Sequence, residues 1–297
     1  MTLELNQLTP QVKAMGQSVA GQSTDRRAAL QQAKALLKQH STELAEREAR
    51  VTQAEKAQTG GRFNWLGAAP AGEPLAGYHP PPPPPLTNAT VIAADGSQIH
   101  PDRHAIALYF LVNVGAIVYR HASGTRPDTI TEPRLYYKNK DLFLERGLLV
   151  PAGVVNVKRD LAEVDMLARL APAYGDSPGP VIALIDGQLS LRLIDLPARL
   201  QTSCQNHYLK TLDRLRQSEA LLAAYIDRPR SSFVLSLLHL AGLKPDAITE
   251  ETLRRNPFVA LTDAELFDDL PPGHRTALFN QRAKANIPYA RAGHQIH

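Results

Sequence analysis

The sequence contains Thr90-Val91-Ile92-Ala93-Ala94-Asp95-Gly96-Ser97, an apolar run that ends on an aspartate followed by a glycine. The same pattern returns in Val181-Ile182-Ala183-Leu184-Ile185-Asp186-Gly187-Gln188. Each run predicts a buried β-strand of about five or six residues, and the glycine predicts a turn directly after the aspartate. On adjacent strands the two carboxylates would lie side by side, where both stay ionised only with a cation between them. Oxygen ligands of this kind favour Mg²⁺ or Mn²⁺. The alternative at either site alone is a simple tight turn.

A third acidic residue is predicted on a helix that spans residues 159–171, where apolar side chains recur on one arc. Glu163 falls inside this arc, whereas Asp165 is predicted to project toward solvent. Asp160 also lies in the arc, but in the predicted first turn, where the helix dipole favours acids. A carboxylate on the core side is costly unless something pairs with it. Glu163 is therefore the predicted third ligand, and the alternative is a glutamate at the edge of the core that pairs with a basic residue.

Several further stretches occur in a characteristic order along the chain. They are Ala94-Asp95-Gly96-Ser97, Lys158-Arg159-Asp160-Leu161-Ala162-Glu163, Leu184-Ile185-Asp186-Gly187-Gln188-Leu189, Tyr225-Ile226-Asp227-Arg228-Pro229-Arg230-Ser231-Ser232, Leu261-Thr262-Asp263-Ala264-Glu265-Leu266-Phe267 and Pro272-Gly273-His274-Arg275-Thr276-Ala277-Leu278-Phe279. In this order they resemble the motifs of the NurA nucleases, DNA-end-processing enzymes with an RNase H-like core. The resemblance runs from Asp95 to the C-terminus. Family members continue with another strand beyond the point that corresponds to His297, so the chain is expected to be shortened at its C-terminal end.

The resemblance implies a metal-dependent deoxyribonuclease for end resection in double-strand break repair, with 5′-to-3′ exonuclease and single-strand endonuclease activity. Asp95, Glu163 and Asp186 would be its catalytic residues and would hold Mn²⁺ or Mg²⁺. It also implies a homodimer that works with a HerA-type hexameric ATPase. Because the chain has no phosphate-binding Gly-x-x-x-x-Gly-Lys loop, that ATPase would be a separate protein.

Two other classes of function remain open at this stage. One is a catalytically inactive scaffold that keeps the fold and the contact with the ATPase. The other is a metal-dependent, phosphatase-like enzyme that uses the same carboxylates on a small substrate and has no affinity for DNA.

Basic residues are concentrated near the C-terminus. The formal net charge is +4, and residues 271–297 contain Arg275, Arg282, Lys284 and Arg291 but no acidic residue. Phosphate contact is the functional interpretation, and an ordinary solvated face is the alternative. The residues predicted to bind DNA are Lys210, Arg228, Arg230, Arg275, Arg282 and Lys284.

The remaining sequence predicts an α/β protein with a mixed β-sheet flanked by helices and an N-terminal helical extension, and the resemblance implies that this sheet is RNase H-like. The predicted parts are an N-terminal helical region (1–57), a Gly/Pro-rich linker (58–88) and a nuclease domain (89–297). The linker includes the proline run 80–85, a stiff spacer. Within the nuclease domain we predict one or two strands over 105–119, broken near Asn113 or Gly115, and helices over 198–224 and 231–241.

The only cysteine, Cys204, excludes an internal disulfide and is typical of a reducing cytoplasm. No uncharged apolar stretch reaches the roughly 20 residues that span a bilayer. A cytoplasmic protein without a membrane partner is therefore expected.

Overall fold

The computed structural model describes residues 5–58, 63–81 and 88–297, which divide into two compact units. The first unit is drawn from Met1–Pro83, Arg228–Ala290 and Gln295–His297. The second unit is drawn from Pro84–Asp227 and Arg291–His294. The spacer predicted for the proline run falls largely on residues 82–87, outside the described residues.

The described residues form, in chain order, the strands β1 (Gly67–Pro70), β2 (Thr90–Ile99), β3 (Phe110–Arg120), β4 (Asp128–Tyr136), β5 (Val181–Asp186), β6 (Leu221–Tyr225) and β7 (Phe279–Arg282). Their α-helices are α1 (Leu5–Gln39), α2 (Leu44–Lys56), α3 (Asn139–Leu142), α4 (Ala152–Leu170), α5 (Ala198–Gln217), α6 (Phe233–Gly242), α7 (Glu250–Arg254), α8 (Asp263–Leu266) and α9 (Ile287–Arg291). None of the helices in this described part is both long and apolar enough to cross a lipid bilayer.

The second unit is built on a five-stranded sheet with the order β4-β3-β2-β5-β6. Strand β3 is antiparallel to both β2 and β4, whereas β5 is parallel to both β2 and β6. Helix α4 packs against β2 and β3, and α5 packs against α4 and β6. An antiparallel meander extended by two parallel strands, with helices packed on it, confirms the predicted RNase H-like mixed sheet.

The two faces of this sheet differ along β2. Ile92 and Ala94 are buried, whereas Asp95 is exposed. Gln98 is an even number of residues from Ile92 and Ala94 and so lies on the same face of the strand as they do. Its side chain bonds to Asn156 of α4. Because side chains alternate along a strand, Asp95 belongs to the opposite face. We call that face the aspartate face and define it by Ala93, Asp95, Leu184 and Asp186.

The first unit has its own apolar core, to which α1, α2, β1, α6 and α8 contribute. Leu37 of α1 and Val51 of α2 are buried in it. Strand β1 pairs antiparallel with β7, and Gly67 lies opposite Arg282. The N-terminal helices predicted from the sequence are therefore present, and they pack on α6 and β1.

Some element boundaries differ from the prediction. The helix predicted over 198–224 ends at Gln217, and the chain then reverses through Glu219 at φ +58° into β6. The apolar run of β6 was ambiguous because short apolar runs fit a helix or a strand equally well. The predicted break near Asn113 or Gly115 is also wrong. Both residues lie inside β3, opposite Ser97 and Asp95 respectively.

Candidate functional site

Asp95 and Asp186 lie at the same edge of the parallel strand pair β2–β5. The parallel register ends at the pair Ala94–Ile185, so the next residue on each strand is an aspartate. Both aspartates are exposed, and strand alternation places both on the aspartate face. The predicted neighbouring strands are therefore confirmed, and the role of the two aspartates as metal ligands stays a prediction.

The glycines that follow the two aspartates have different roles. Gly187 has φ +106° and its amide donates to the Tyr225 carbonyl at 2.8 Å, so the predicted turn is confirmed there. The turn predicted at Gly96 is wrong, because β2 continues to Ile99. The Gly96 amide instead donates to Asp95 Oδ1 at 2.8 Å.

Gly96 is required by the close approach of α4. A Cβ atom built on Gly96 would lie 2.5 Å from Arg159 Cγ and 2.6 Å from Glu163 Oε1. Real Cβ atoms do not come this close to other heavy atoms, so any side chain here would displace Glu163. The glycine thus lets the Glu163 carboxylate reach the strand residue next to Asp95.

Glu163 is a buried acid at the centre of this site. It is 7% exposed, and its Oε1 lies 3.1 Å from Arg159 Nε. Burial raises the pKa of the Glu163 carboxyl from 4.5 to about 7; Arg159 opposes the shift, and the negative charges of Asp160 and Asp95 add to it. Glu163 therefore faces the core, as predicted. It also has a basic partner, Arg159, as the alternative interpretation predicted.

Two expectations about the acids of α4 are wrong. The helix begins at Ala152, which puts Asp160 in about its third turn, so the helix-dipole explanation for Asp160 does not apply. Asp165 does not simply face solvent. Its Oδ2 lies 2.7 Å from His207 Nε2, and its Oδ1 accepts from Thr211 Oγ1 at 2.8 Å. Asp165 therefore ties α4 to α5, which the sequence of α4 alone could not reveal.

We expect Asp165→Ala to lower the free energy of unfolding by about 1–2 kcal/mol, because two hydrogen bonds to a half-exposed carboxylate are lost. Urea denaturation would measure this change. Metal binding should be unaffected, since neither His207 nor Thr211 contacts Asp95, Glu163 or Asp186. Asp165→Asn keeps an acceptor oxygen and should recover most of the stability. A loss of metal binding in Asp165→Ala would show that Asp165 belongs to the metal site.

A groove of about 540 Å³ lies along the aspartate face, and Asp95, Asp186 and Tyr225 are among its lining residues. Gly115, opposite Asp95, has no side chain to fill it. Tyr225 is paired with Asp186 across β5 and β6, and the residue is 60% exposed. An exposed aromatic ring beside an acidic pair can stack on a nucleobase. Tyr225 lies within one of the motifs quoted from the sequence, but no role was predicted for it. Most of β6 falls within the helix predicted over 198–224.

The acids of this site have the chemistry of a divalent-cation site, although their side chains are not gathered around one point. Within residues 5–58, 63–81 and 88–297, no group of at least three His, Cys, Asp or Glu side chains is arranged to hold a metal ion. The donors are carboxylate oxygens, which Mg²⁺ and Mn²⁺ prefer. The raised pKa of Glu163 reflects burial beside the negative charges of Asp95 and Asp160, which a bound cation would relieve. The donor set of carboxylates therefore suits such an ion, and Asp95 and Asp186 share one face of the sheet.

The predicted DNA-binding residues fall into two groups. Arg275 forms a bidentate salt bridge with Glu73, with both contacts at 2.8 Å, and this holds the pKa of the Glu73 carboxyl at about 2. Arg282 pairs with Glu48 and Glu55. A second group is exposed and forms no ion pair with any residue that the structure describes: Lys210, Arg230 and Lys284. Arg228, the remaining predicted contact, is exposed as well.

Comparisons with known proteins point to one family. The NurA domain family model matches residues 89–295. The NurA nuclease from Sulfolobus solfataricus matches with 10% identity and a TM-score of 0.36, over 82% of this chain and 68% of that chain. NurA bound to dAMP and manganese matches with 14% identity and a TM-score of 0.25, over 69% and 51%. LC9-RNase H1, a type 1 RNase H with the type 2 active-site motif, matches with 9% identity and a TM-score of 0.28, over 48% and 64%. The chain thus spans about half to two thirds of the length of these proteins, and no curated protein gives a significant sequence match.

Proposed function

The chain belongs to the NurA family, and from this premise we propose that it is a metal-dependent deoxyribonuclease that processes DNA ends during double-strand break repair. It would act as a 5′-to-3′ exonuclease and as a single-strand endonuclease. Mn²⁺ or Mg²⁺ would be held by Asp95, Glu163 and Asp186.

The observation that carries the proposal is the placement of Asp95 and Asp186 at one end of the β2–β5 pair, with the buried Glu163 of α4 packed against Gly96, the residue after Asp95. The parallel register brings Asp95 and Asp186 to one edge and one face of the sheet. Glu163 reaches the same strand because Gly96 has no side chain.

The residues of the site have distinct tasks in such a reaction. A bound divalent ion would lower the pKa of a water molecule and stabilise negative charge on the leaving oxygen. Asp95 and Asp186 are exposed on the groove and would meet the phosphodiester there. Glu163 is buried and fixed by Arg159, so it would orient the site. The exposed ring of Tyr225 would carry the base next to the scissile phosphate.

The direct test is incubation of labelled linear double-stranded and single-stranded DNA with the protein and Mn²⁺, with and without EDTA. Metal-dependent shortening of the strands supports the proposal. Manganese binding without any cleavage would favour the inactive scaffold. Hydrolysis of p-nitrophenyl phosphate without affinity for DNA would favour the phosphatase-like enzyme.

We expect the unpaired cations to contribute to DNA affinity more than the paired ones. Lys210→Gln, Arg230→Gln and Lys284→Gln should each weaken binding of a duplex and reduce the slope of log affinity against log salt by up to about 0.9 per lost phosphate contact. Fluorescence anisotropy in EDTA, at several salt concentrations, measures this slope.

The matched control for these substitutions is Arg255→Gln, because Arg255 is exposed and pairs only locally with Glu251. Its slope should equal that of the wild type. If Lys210→Gln, Arg230→Gln and Lys284→Gln behave like this control, then these residues are not in the path of DNA. Arg228, Arg275 and Arg282 would then be the remaining predicted contacts to test, although the charges of Arg275 and Arg282 are compensated by Glu73, Glu48 and Glu55.

We further propose that the protein forms a homodimer and works with a HerA-type hexameric ATPase. These partners rest on family membership alone. Light scattering would give the mass in solution, and co-purification with such an ATPase would test the second partner.

A further inference from the structure

Arg159 connects the strand that carries Asp95 with the helix that carries Glu163. From α4 its Nη1 donates to Gln98 Oε1 of β2 at 3.1 Å. Its Nε lies 3.1 Å from Glu163 Oε1. The guanidinium therefore links the two elements that carry Asp95 and Glu163.

The guanidinium is anchored by groups that are not themselves predicted ligands. Asp160 Oδ1 accepts from Arg159 Nη2 at 2.6 Å and from Nε at 3.2 Å. Gln98 is fixed in turn, because its Nε2 donates to Asn156 Oδ1 at 3.3 Å. Arg159 is thus held by Asp160 and Gln98 whether or not Glu163 is engaged.

Because Asp160 and Gln98 hold the Arg159 guanidinium in place, Arg159 differs from a counter-ion that is bound by Glu163 alone. A cation held only by Glu163 would leave when a metal ion arrives. The planar fork of arginine can bond several oxygens in fixed directions, which the single ammonium group of lysine cannot. Arg159 thereby engages Oε1 of the Glu163 carboxylate.

We propose that Arg159 is a positioning residue for the metal site, which holds Glu163 Oε1 against β2 and leaves Oε2 to the metal ion. The inference rests on the proposed metal-dependent function. It concerns how the site is preorganised, and outer-shell partners of this kind typically change metal affinity by about 10–100-fold when removed.

The test is titration of the metal-free full chain with Mn²⁺ in a calorimeter. Arg159→Gln should weaken Mn²⁺ binding by about 10-fold or more. Arg159→Lys keeps the charge but loses the fork, so its affinity should lie between those of Arg159→Gln and the wild type. The matched control is Arg169→Gln, because Arg169 is on the same helix and pairs with Glu132, away from the acids. This control should bind Mn²⁺ as the wild type does.

Gln98→Leu keeps Arg159 but removes its anchor on β2, together with the hydrogen bond from Gln98 to Asn156, and it should weaken Mn²⁺ binding several-fold. It provides an independent test if Arg159→Gln fails to fold, which the melting curve in EDTA would show. Unchanged Mn²⁺ affinity in Gln98→Leu and Arg159→Gln would overturn the inference and leave the proposed function intact. Tighter binding in Arg159→Gln would also overturn it, because Arg159 would then be a competing counter-cation. A wild-type protein that neither binds Mn²⁺ nor cleaves DNA would overturn the proposed function, and this inference with it.

Discussion

Asp95→Asn and Asp186→Asn are each expected to reduce DNA cleavage by about 1000-fold or more. Each substitution removes a charged oxygen ligand but keeps the shape of the side chain. Loss of several kcal/mol of charge stabilisation in the transition state corresponds to at least about three powers of ten in rate. Single-turnover cleavage of labelled DNA at saturating Mn²⁺ measures the effect, and calorimetry should show weaker Mn²⁺ binding in the same variants.

The fold should survive both substitutions. Both aspartates are exposed, and asparagine at position 95 can still accept from the Gly96 amide, as Asp95 Oδ1 does. Removal of one negative charge also relieves repulsion between the two acids, so the metal-free proteins should unfold at the same urea concentration or a higher one. The matched control is Asp176→Asn, because Asp176 is an exposed loop residue of the same unit. Full activity in Asp95→Asn or Asp186→Asn would remove that residue from the site.

The placement of Asp95 and Asp186 on two neighbouring strands could be predicted because the sequence pattern that indicates it is local. An apolar run that ends on a charged residue specifies a strand and its exposed position without knowledge of any distant contact. Strand β5 therefore matches its predicted range, 181–186. The burial of Glu163 was predicted in the same way, from its place on the apolar arc of α4.

The predictions that failed depended on residues far away in the chain. Gly96 resembles a turn glycine, but the atoms that require it belong to Arg159 and Glu163. Asp165 looks exposed until α5 brings His207 and Thr211 to it. In neither case does the local sequence contain the partner.

The charge of the basic C-terminal stretch also depends on residues far away in the chain. Residues 271–297 contain no acidic residue, so their arginines looked uncompensated. In the folded chain Arg275 pairs with Glu73, 202 residues earlier, and Arg282 pairs with Glu48, 234 residues earlier. Net charge within a segment therefore overestimates the charge that is free to meet phosphate.

Glu163→Gln should reduce DNA cleavage about as much as the aspartate substitutions do. It should also change how the free energy of unfolding depends on pH. Burial is the main reason why the pKa of Glu163 is about 7 in the folded chain, against 4.5 as the ordinary value. Between these two pH values the folded state binds more protons than the unfolded state. The stability of the metal-free wild type should therefore fall as the pH rises from about 4.5 to about 7.

The size of this fall follows from the shift. Each pKa unit corresponds to about 1.4 kcal/mol, so the contribution of Glu163 is no more than about 3 kcal/mol. Glutamine cannot ionise, and the variant should lack this part of the pH dependence. Urea unfolding in EDTA at pH 4.5 and at pH 8 should show that Glu163→Gln gains stability relative to the wild type at the higher pH.

Added Mn²⁺ should make the wild type more stable than Glu163→Gln at pH 8. A carboxylate must be deprotonated to bind a metal ion, so Mn²⁺ should stabilise the wild type more at pH 8 than at pH 6 and should stabilise Glu163→Gln much less at either pH. If the difference between wild type and variant is the same at pH 4.5 and pH 8, Glu163 is not the group that titrates. If Mn²⁺ stabilises both proteins equally, the acidic site does not include Glu163, and Asp95 and Asp186 would have to hold the ion with other ligands.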